Sequence, residues 1–278
     1  MSTTLENAAS EEKPKVTPEQ IEALKKARED AARQPRQFVS FSFYKLDPLF
    51  RRELTVAERT EAVEELAQVV ESARQKFLIY PYSTLGIRPE TDFLLWRISY
   101  RMEDFEEMTS EILRTRMGQY LETPYSFFSM TKTSIYVDDH IHDEQESTRN
   151  RIVVGGRKYL FVYPFVKTRA WYNMSAEERQ TAMREHIRVG HEYPSVKLNT
   201  TYSFGLDDQE FVVAFETDAP QDFLDLVQRL RETEASAYTL RDTPTITCIR
   251  QDARTMLAHV AGVATEFKAP NAISSAAE

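Results

Sequence analysis

Residues 159–191 read YLFVYPFVKTRAWYNMSAEERQTAMREHIRVGH, an order of side chains that could do redox chemistry. Tyr163 and Lys167 stand four residues apart on a strand pattern, and His186 follows on a helix pattern. The three offer a redox-capable phenol, a cation and an axial metal ligand, the set that an iron porphyrin pocket requires. Ser175 followed by Glu178 is a capping box, so a helix starts there and carries Met183, His186 and Val189. His186 lies three residues after Met183 and shares its apolar stripe. A histidine in that place is more often a hydrogen-bonded core residue than a ligand, and the pattern alone leaves both readings open.

Other candidates are weaker. His191 falls on a different helix face. His140 and His142 share the acidic run DDHIHDEQESTRN (138–150), which reads as a solvated loop before it reads as a metal site. Gly155-Gly156 beside Arg157 and Lys158 is too short for a phosphate loop. The chain has no G-x-S-x-G, P-loop, G-x-G-x-x-G or H-E-x-x-H motif. Most of the 13 tyrosines are expected to be packing residues; Tyr163 differs only in preceding Pro164 on the strand that leads to Lys167.

The whole chain narrows the class. Its 278 residues, 41% apolar, suit one large domain or two that share a core. A net charge of -9 argues against a nucleic-acid binder, and no apolar run is long enough for a membrane span. The N-terminus lacks the basic start and apolar stretch of a secretory signal, so a cytoplasmic protein is expected. Cys248 is the single cysteine and sits in the strand pattern TITCI, which reads as a buried, inert thiol.

One set of elements occurs twice. The first copy has strands at 38–46, 77–85, 92–100 and 125–136, with helices around 55–76 and 103–118. The second has strands at 159–167, 196–204, 210–217 and 244–249, with helices at 176–191 and 220–232. Both are β-α-β-β-α-β, the ferredoxin-like order. Phe93 and Phe105 are twelve residues apart, as are Phe211 and Phe223, and a glycine turn (Gly86, Gly205) precedes the third strand of each copy. The expected fold is therefore α+β: tandem ferredoxin-like repeats of the dimeric α+β barrel type, antiparallel sheets with helices outside. The division is a flexible N-terminal arm (1–35), a first repeat (36–137), an inter-repeat loop (138–158), a second repeat (159–255) and a C-terminal tail (256–278).

The segments YPFVK, WYNMSAEERQTAMREH, SFGLDDQEF and LRETEAS carry a resemblance to a known family. Over about residues 36–255 the chain resembles the chlorite dismutase superfamily, most closely its branch of hydrogen-peroxide-dependent coproheme decarboxylases. The resemblance implies that His186 is the axial ligand of a heme iron. It implies that Tyr163 is oxidised to a radical beside a propionate, that Lys167 lies near that propionate, and that Arg231 and Ser236 bind propionate carboxylates. It places Glu234 near the axial histidine. The implied reaction is heme biosynthesis: two oxidative decarboxylations turn iron coproporphyrin III into heme b, so coproheme is both cofactor and substrate. The implied partners are coproheme, hydrogen peroxide, a homopentamer and a transient contact with a ferrochelatase.

The chain departs from the chlorite-dismutating pattern at one place. True chlorite dismutases resemble this segment but carry an arginine over the open face of the heme. Counting back from Gly205 in VKLNTTYSFGLDD puts Leu198 there, flanked by Lys197 and Asn199. An apolar residue cannot stabilise departing hypochlorite, so efficient chlorite dismutation is not expected. The match at Tyr163, Arg231 and Ser236 favours decarboxylation; a heme-dependent chlorite dismutase or peroxidase is the alternative. A non-catalytic heme-binding protein is the further alternative.

Overall fold

The computed structural model describes residues 26, 30, 33–134, 136 and 151–264. Most of the expected arm, the connector with His140 and His142, and the end of the tail lie outside the described residues. The first repeat contains β1 (Phe38–Leu46), α1 (Leu49–Glu53), α2 (Val56–Ala73), β2 (Leu78–Ser83), β3 (Phe93–Ser99), α3 (Glu103–Arg114) and β4 (Leu121–Met130). The second contains β5 (Tyr159–Lys167), α4 (Arg169–Asn173), α5 (Ala176–His191), β6 (Lys197–Tyr202), β7 (Phe211–Thr217), α6 (Pro220–Arg231), β8 (Thr239–Arg241) and β9 (Ile246–Arg250). A last helix, α7 (Ala253–Ala261), follows. The β-α-β-β-α-β order holds in both copies.

Within each copy the strands pair in ferredoxin-like order, β4-β1-β3-β2 and β9-β5-β7-β6. The two sheets meet at two short, equivalent seams. One is the pair Met130↔Tyr202 between β4 and β6; the other is Tyr82↔Arg250 and Ser83↔Ile249 between β2 and β9. Eight strands thus close into a ring, and β8 adds to β5 beyond the end of β9. Gly86 and Gly205 both take positive φ (77° and 74°), which glycine adopts without the cost a Cβ would impose. No helix among the described residues is long and apolar enough to cross a membrane.

Strand alternation sorts the core into an inner and two outer parts. Val39, Phe41, Phe43, Leu94, Trp96, Leu160, Val162, Val212, Ala214 and the buried Cys248 fill the ring. The outer face of the first repeat packs on α2, α3 and α7 through Leu66, Val70, Phe93, Leu95, Met108 and Leu257. The outer face of the second packs on α5 and α6 through Phe161, Val189, Phe215, Phe223 and Leu226.

The first repeat's outer face is closed by a polar pin. Its register pairs Ser40 with Arg97, where the second repeat pairs Phe161 with Phe215. Ser42, two residues on, corresponds to Tyr163. The buried Arg97 guanidinium donates to Ser40 Oγ (3.1 Å), Ser42 Oγ (2.7 Å) and Thr109 Oγ1 (3.0 Å), tying the sheet to α3.

The C-terminal segment corrects the expected boundary at 256. Met256, Leu257, Val260 and Ala261 are buried core residues of α7, not tail. Asp252 caps its first turn by accepting from the Thr255 amide, and Gly262 ends it in the left-handed region. Arg51 and Arg59 then donate to the carbonyls of Val260 and Ala261 (2.9 and 2.8 Å), so cations stand at the negative end of the helix.

Candidate functional site

Tyr163, Phe161 and Phe165 alternate with Leu160 and Val162 along β5, so they face outward onto the helices. Cross-strand register extends that face. Thr200, Val213 and Tyr163 form one row; Leu198, Phe215 and Phe161 form the next. Leu198 therefore shares a sheet face with Tyr163, and it is 41% exposed there. Pro164, with no N–H to donate, stands where β5 exchanges β9 for β8 as its partner.

Helix α5 brings the histidine over this face. Ser175 Oγ accepts from the Glu178 amide, and the Glu178 carboxylate accepts from the Ser175 amide. Below the cap, Ala182 packs with Trp171 and Ala235, while Val189 packs with Phe161, Phe215 and Phe223. His186 lies between those two contacts, half-buried. Ser175→Ala should cost about 1 kcal/mol of stability, read as a lower Tm with an unchanged circular dichroism spectrum.

His186 Nδ1 is 3.0 Å from Thr233 Oγ1. The Thr233 hydroxyl donates its one hydrogen to the Leu230 carbonyl at 2.7 Å, so toward the ring it accepts. Nδ1 therefore carries the proton and Nε2 the lone pair. Burial pushes the imidazole pKa down to about 4, the Lys167 ammonium pushes the same way, and Glu185 opposes. At neutral pH the ring is an uncharged donor.

Lys167 is 8% exposed, and its charge reaches the histidine. Its Nζ donates to the Ala235 carbonyl at 2.6 Å and stands 4.5 Å from the Trp171 ring centre. Burial pulls its pKa down to about 8, with Glu210 opposing. One Glu210 oxygen accepts from both the Lys167 amide (2.8 Å) and the Tyr172 hydroxyl (2.6 Å).

Tyr163 stacks on Phe215 with ring centres 6.1 Å apart. Its hydroxyl makes no hydrogen bond among the described residues. Burial raises its pKa, Asp242 raises it further, and Arg231 works against both, so the phenol is neutral beside a charged pair. Arg231 and Asp242 form that pair directly. Arg231 closes α6, and Asp242 follows β8 opposite the Pro164 end of β5. Ser236 lies half-buried in the 3₁₀ turn Glu234–Tyr238, next to the Lys167 partner Ala235 rather than on a helix. Glu234 is exposed; its amide donates to Glu185 at 3.4 Å, and the ring contact belongs to its neighbour Thr233.

The structure thus links two groups: His186 with Thr233 and with Lys167, which lies over Trp171, and Tyr163 with Arg231 and Asp242. Thr233 lies within the segment LRETEAS but is not singled out there, and Asp242 is marked by no sequence signal. Among the described residues no three histidine, cysteine or acidic groups converge on one point. A lone imidazole holds a metal only when the other ligands arrive with it, as they do in an iron porphyrin. The apolar face with one free imidazole nitrogen and cationic and hydroxyl groups at its edge fits such a group.

Comparison with known proteins agrees in fold and in kind. A family model described as chlorite dismutase matches residues 59–251. The coproheme decarboxylase of Mycolicibacterium smegmatis is 26% identical over 235 residues, spanning 82% of this chain and 96% of that one. The chlorite dismutase of Ideonella dechloratans is 28% identical over 216 residues, 76% of this chain and 75% of that one. Among solved structures, a variant chlorite dismutase from Candidatus Nitrospira defluvii superposes with a TM-score of 0.73 at 25% identity, covering 81% of this chain and 95% of that one. A heme-binding protein from Thermus thermophilus has the same fold (TM-score 0.70, 24% identity, 81% and 94% covered).

Proposed function

The chain belongs to the chlorite dismutase family, and from that premise we propose that it is a coproheme decarboxylase. It would convert iron coproporphyrin III to heme b with hydrogen peroxide, one propionate at a time. The observation that carries this reading is Tyr163, a neutral phenol on the apolar helix-facing side of the sheet beside a guanidinium able to hold a carboxylate. Each step balances as propionate, one hydrogen peroxide and one proton giving vinyl, carbon dioxide and two waters.

His186 would hold the iron through Nε2, and Arg231 with Ser236 would hold propionate carboxylates. The bound iron porphyrin, with peroxide, supplies the oxidising equivalents. Tyr163 would give up an electron and its phenolic proton and regain both as a hydrogen atom from the propionate β-carbon. The carbon radical left would give up a second electron to the oxidised porphyrin as the bond to its carboxylate breaks and carbon dioxide leaves. An incoming carboxylate must share or displace Asp242 on Arg231. Lys167, whose ammonium sits on the Ala235 carbonyl beside Ser236, would lie at the propionate edge and add positive charge near the imidazole. Coproheme supply by a ferrochelatase, a homopentameric state and a cytoplasmic location belong to the same proposal.

Mass spectrometry of the porphyrin during peroxide titration tests it. Two successive losses, each of one carbon dioxide and two hydrogens, are expected. An intact porphyrin would leave a heme-binding protein without this activity. The chlorite-dismutating relative favours a second reading. Rapid oxygen release from chlorite would establish it, and Leu198 on the open face weighs against that result.

A further inference from the structure

We infer that Thr233 is the positioning residue of the axial histidine and holds it through a neutral hydroxyl rather than a carboxylate. The inference rests on the reading of His186 as ligand. Thr233 is 4% exposed at the end of α6 and is bonded in three directions. Its amide and its hydroxyl both donate to the Leu230 carbonyl, at 3.2 and 2.7 Å. Its carbonyl accepts from the Ser236 amide at 3.0 Å, and its Oγ1 accepts from His186 Nδ1 at 3.0 Å. One residue therefore ties the end of α6, the plane of the imidazole and the turn that carries Ser236.

The acids nearby are engaged elsewhere. Glu185, adjacent to the histidine, accepts from the Glu234 amide, and the Glu234 side chain lies at the surface. Lys167 directs its ammonium at the Ala235 carbonyl. Among the described residues, only Thr233 is hydrogen-bonded to the ring.

The identity of the acceptor sets the electronics of the ligand. A carboxylate draws the Nδ1 proton toward itself and makes the imidazole a stronger donor. A hydroxyl already committed to Leu230 cannot take that proton, and the buried Lys167 ammonium is a further positive charge nearby. The ring is thus held in orientation yet kept a neutral, moderate donor. The axial bond should be weak and the reduction potential of a bound iron correspondingly high.

The test uses the porphyrin-loaded full chain and reads the iron–histidine stretching band of the ferrous form by resonance Raman. In Thr233→Val the band should fall and broaden, with porphyrin affinity reduced about 10–100-fold. Thr233→Ser should restore both, and Thr233→Asp should raise the band and lower the reduction potential. A Thr233→Val band identical to the parent's would overturn the inference. So would an equal shift in Glu234→Gln or Glu185→Gln, which would move the acceptor to a carboxylate. Absence of any iron–histidine band in the parent would instead overturn the reading of His186 as ligand, so the two failures are distinct.

Discussion

Tyr163→Phe is expected to bind iron coproporphyrin III as the parent does and to leave its propionates intact under hydrogen peroxide. The substitution keeps the ring, its stack on Phe215 and its place in the β5–β7 ladder. It removes only a hydroxyl that makes no hydrogen bond among the described residues, so no partner is orphaned and stability should change little. The size of the loss decides between two roles. A shift of about 1 Å in a positioned group costs on the order of 10²-fold. If the hydroxyl itself is the group oxidised, decarboxylation should fall well beyond that, with binding unchanged in a porphyrin titration. A residual rate within about tenfold of the parent would remove Tyr163 from the chemistry.

His186→Ala should separate from that result in kind. The variant loses the nitrogen that would hold the iron and is expected to lack the five-coordinate histidine-ligated absorption spectrum. Even a change in a group that orients a ligand costs about 10–100-fold in metal affinity, so removal of the ligand should cost more. The helix itself should survive, because its cap and its buried Ala182 and Val189 are untouched. An unchanged spectrum would exclude His186 as the axial group. Tyr163→Phe thus predicts full binding without turnover, and His186→Ala predicts failure at the binding stage.

Much of the frame was legible because local signals agreed with tertiary packing. The strand 159–167 and the helix 176–191 emerge with the expected ends: alternation defines the first, and the Ser175 capping box starts the second. The glycine turns at 86 and 205 likewise do what their spacing implied. Helix α7 is the exception, although Asp252, the apolar stripe Met256, Leu257 and Val260, and Gly262 all stand in the sequence. The small, polar residues that follow it obscure where the core stops. Strand β8 is three residues long and leaves no periodic trace.

The site was legible residue by residue but not contact by contact. The resemblance placed Lys167 beside a propionate, but no spacing shows that its ammonium is held on the Ala235 carbonyl, 68 residues away in sequence. The β5–β8 register shifts between Val166 and Lys167, and the ammonium there meets a carbonyl of the turn that also carries Ser236. Thr233 meets His186 across 47 residues of sequence, and no local pattern encodes that encounter. Asp242 owes its place to the chain passing from β8 to β9, again a matter of topology.

The closed ring of strands has a consequence for precision. Strand β5 is laddered to β7 on one side and to β9 and then β8 on the other. A one-residue slip would turn Tyr163 into the barrel and Val162 out to the helices, and it would have to break both ladders together. The phenol is therefore indexed like a tooth on a gear with no free rim. Hydrogen-atom transfer tolerates little play between its partners, and for the proposed reaction that alignment would be machined into the circumference of the fold rather than entrusted to a loop.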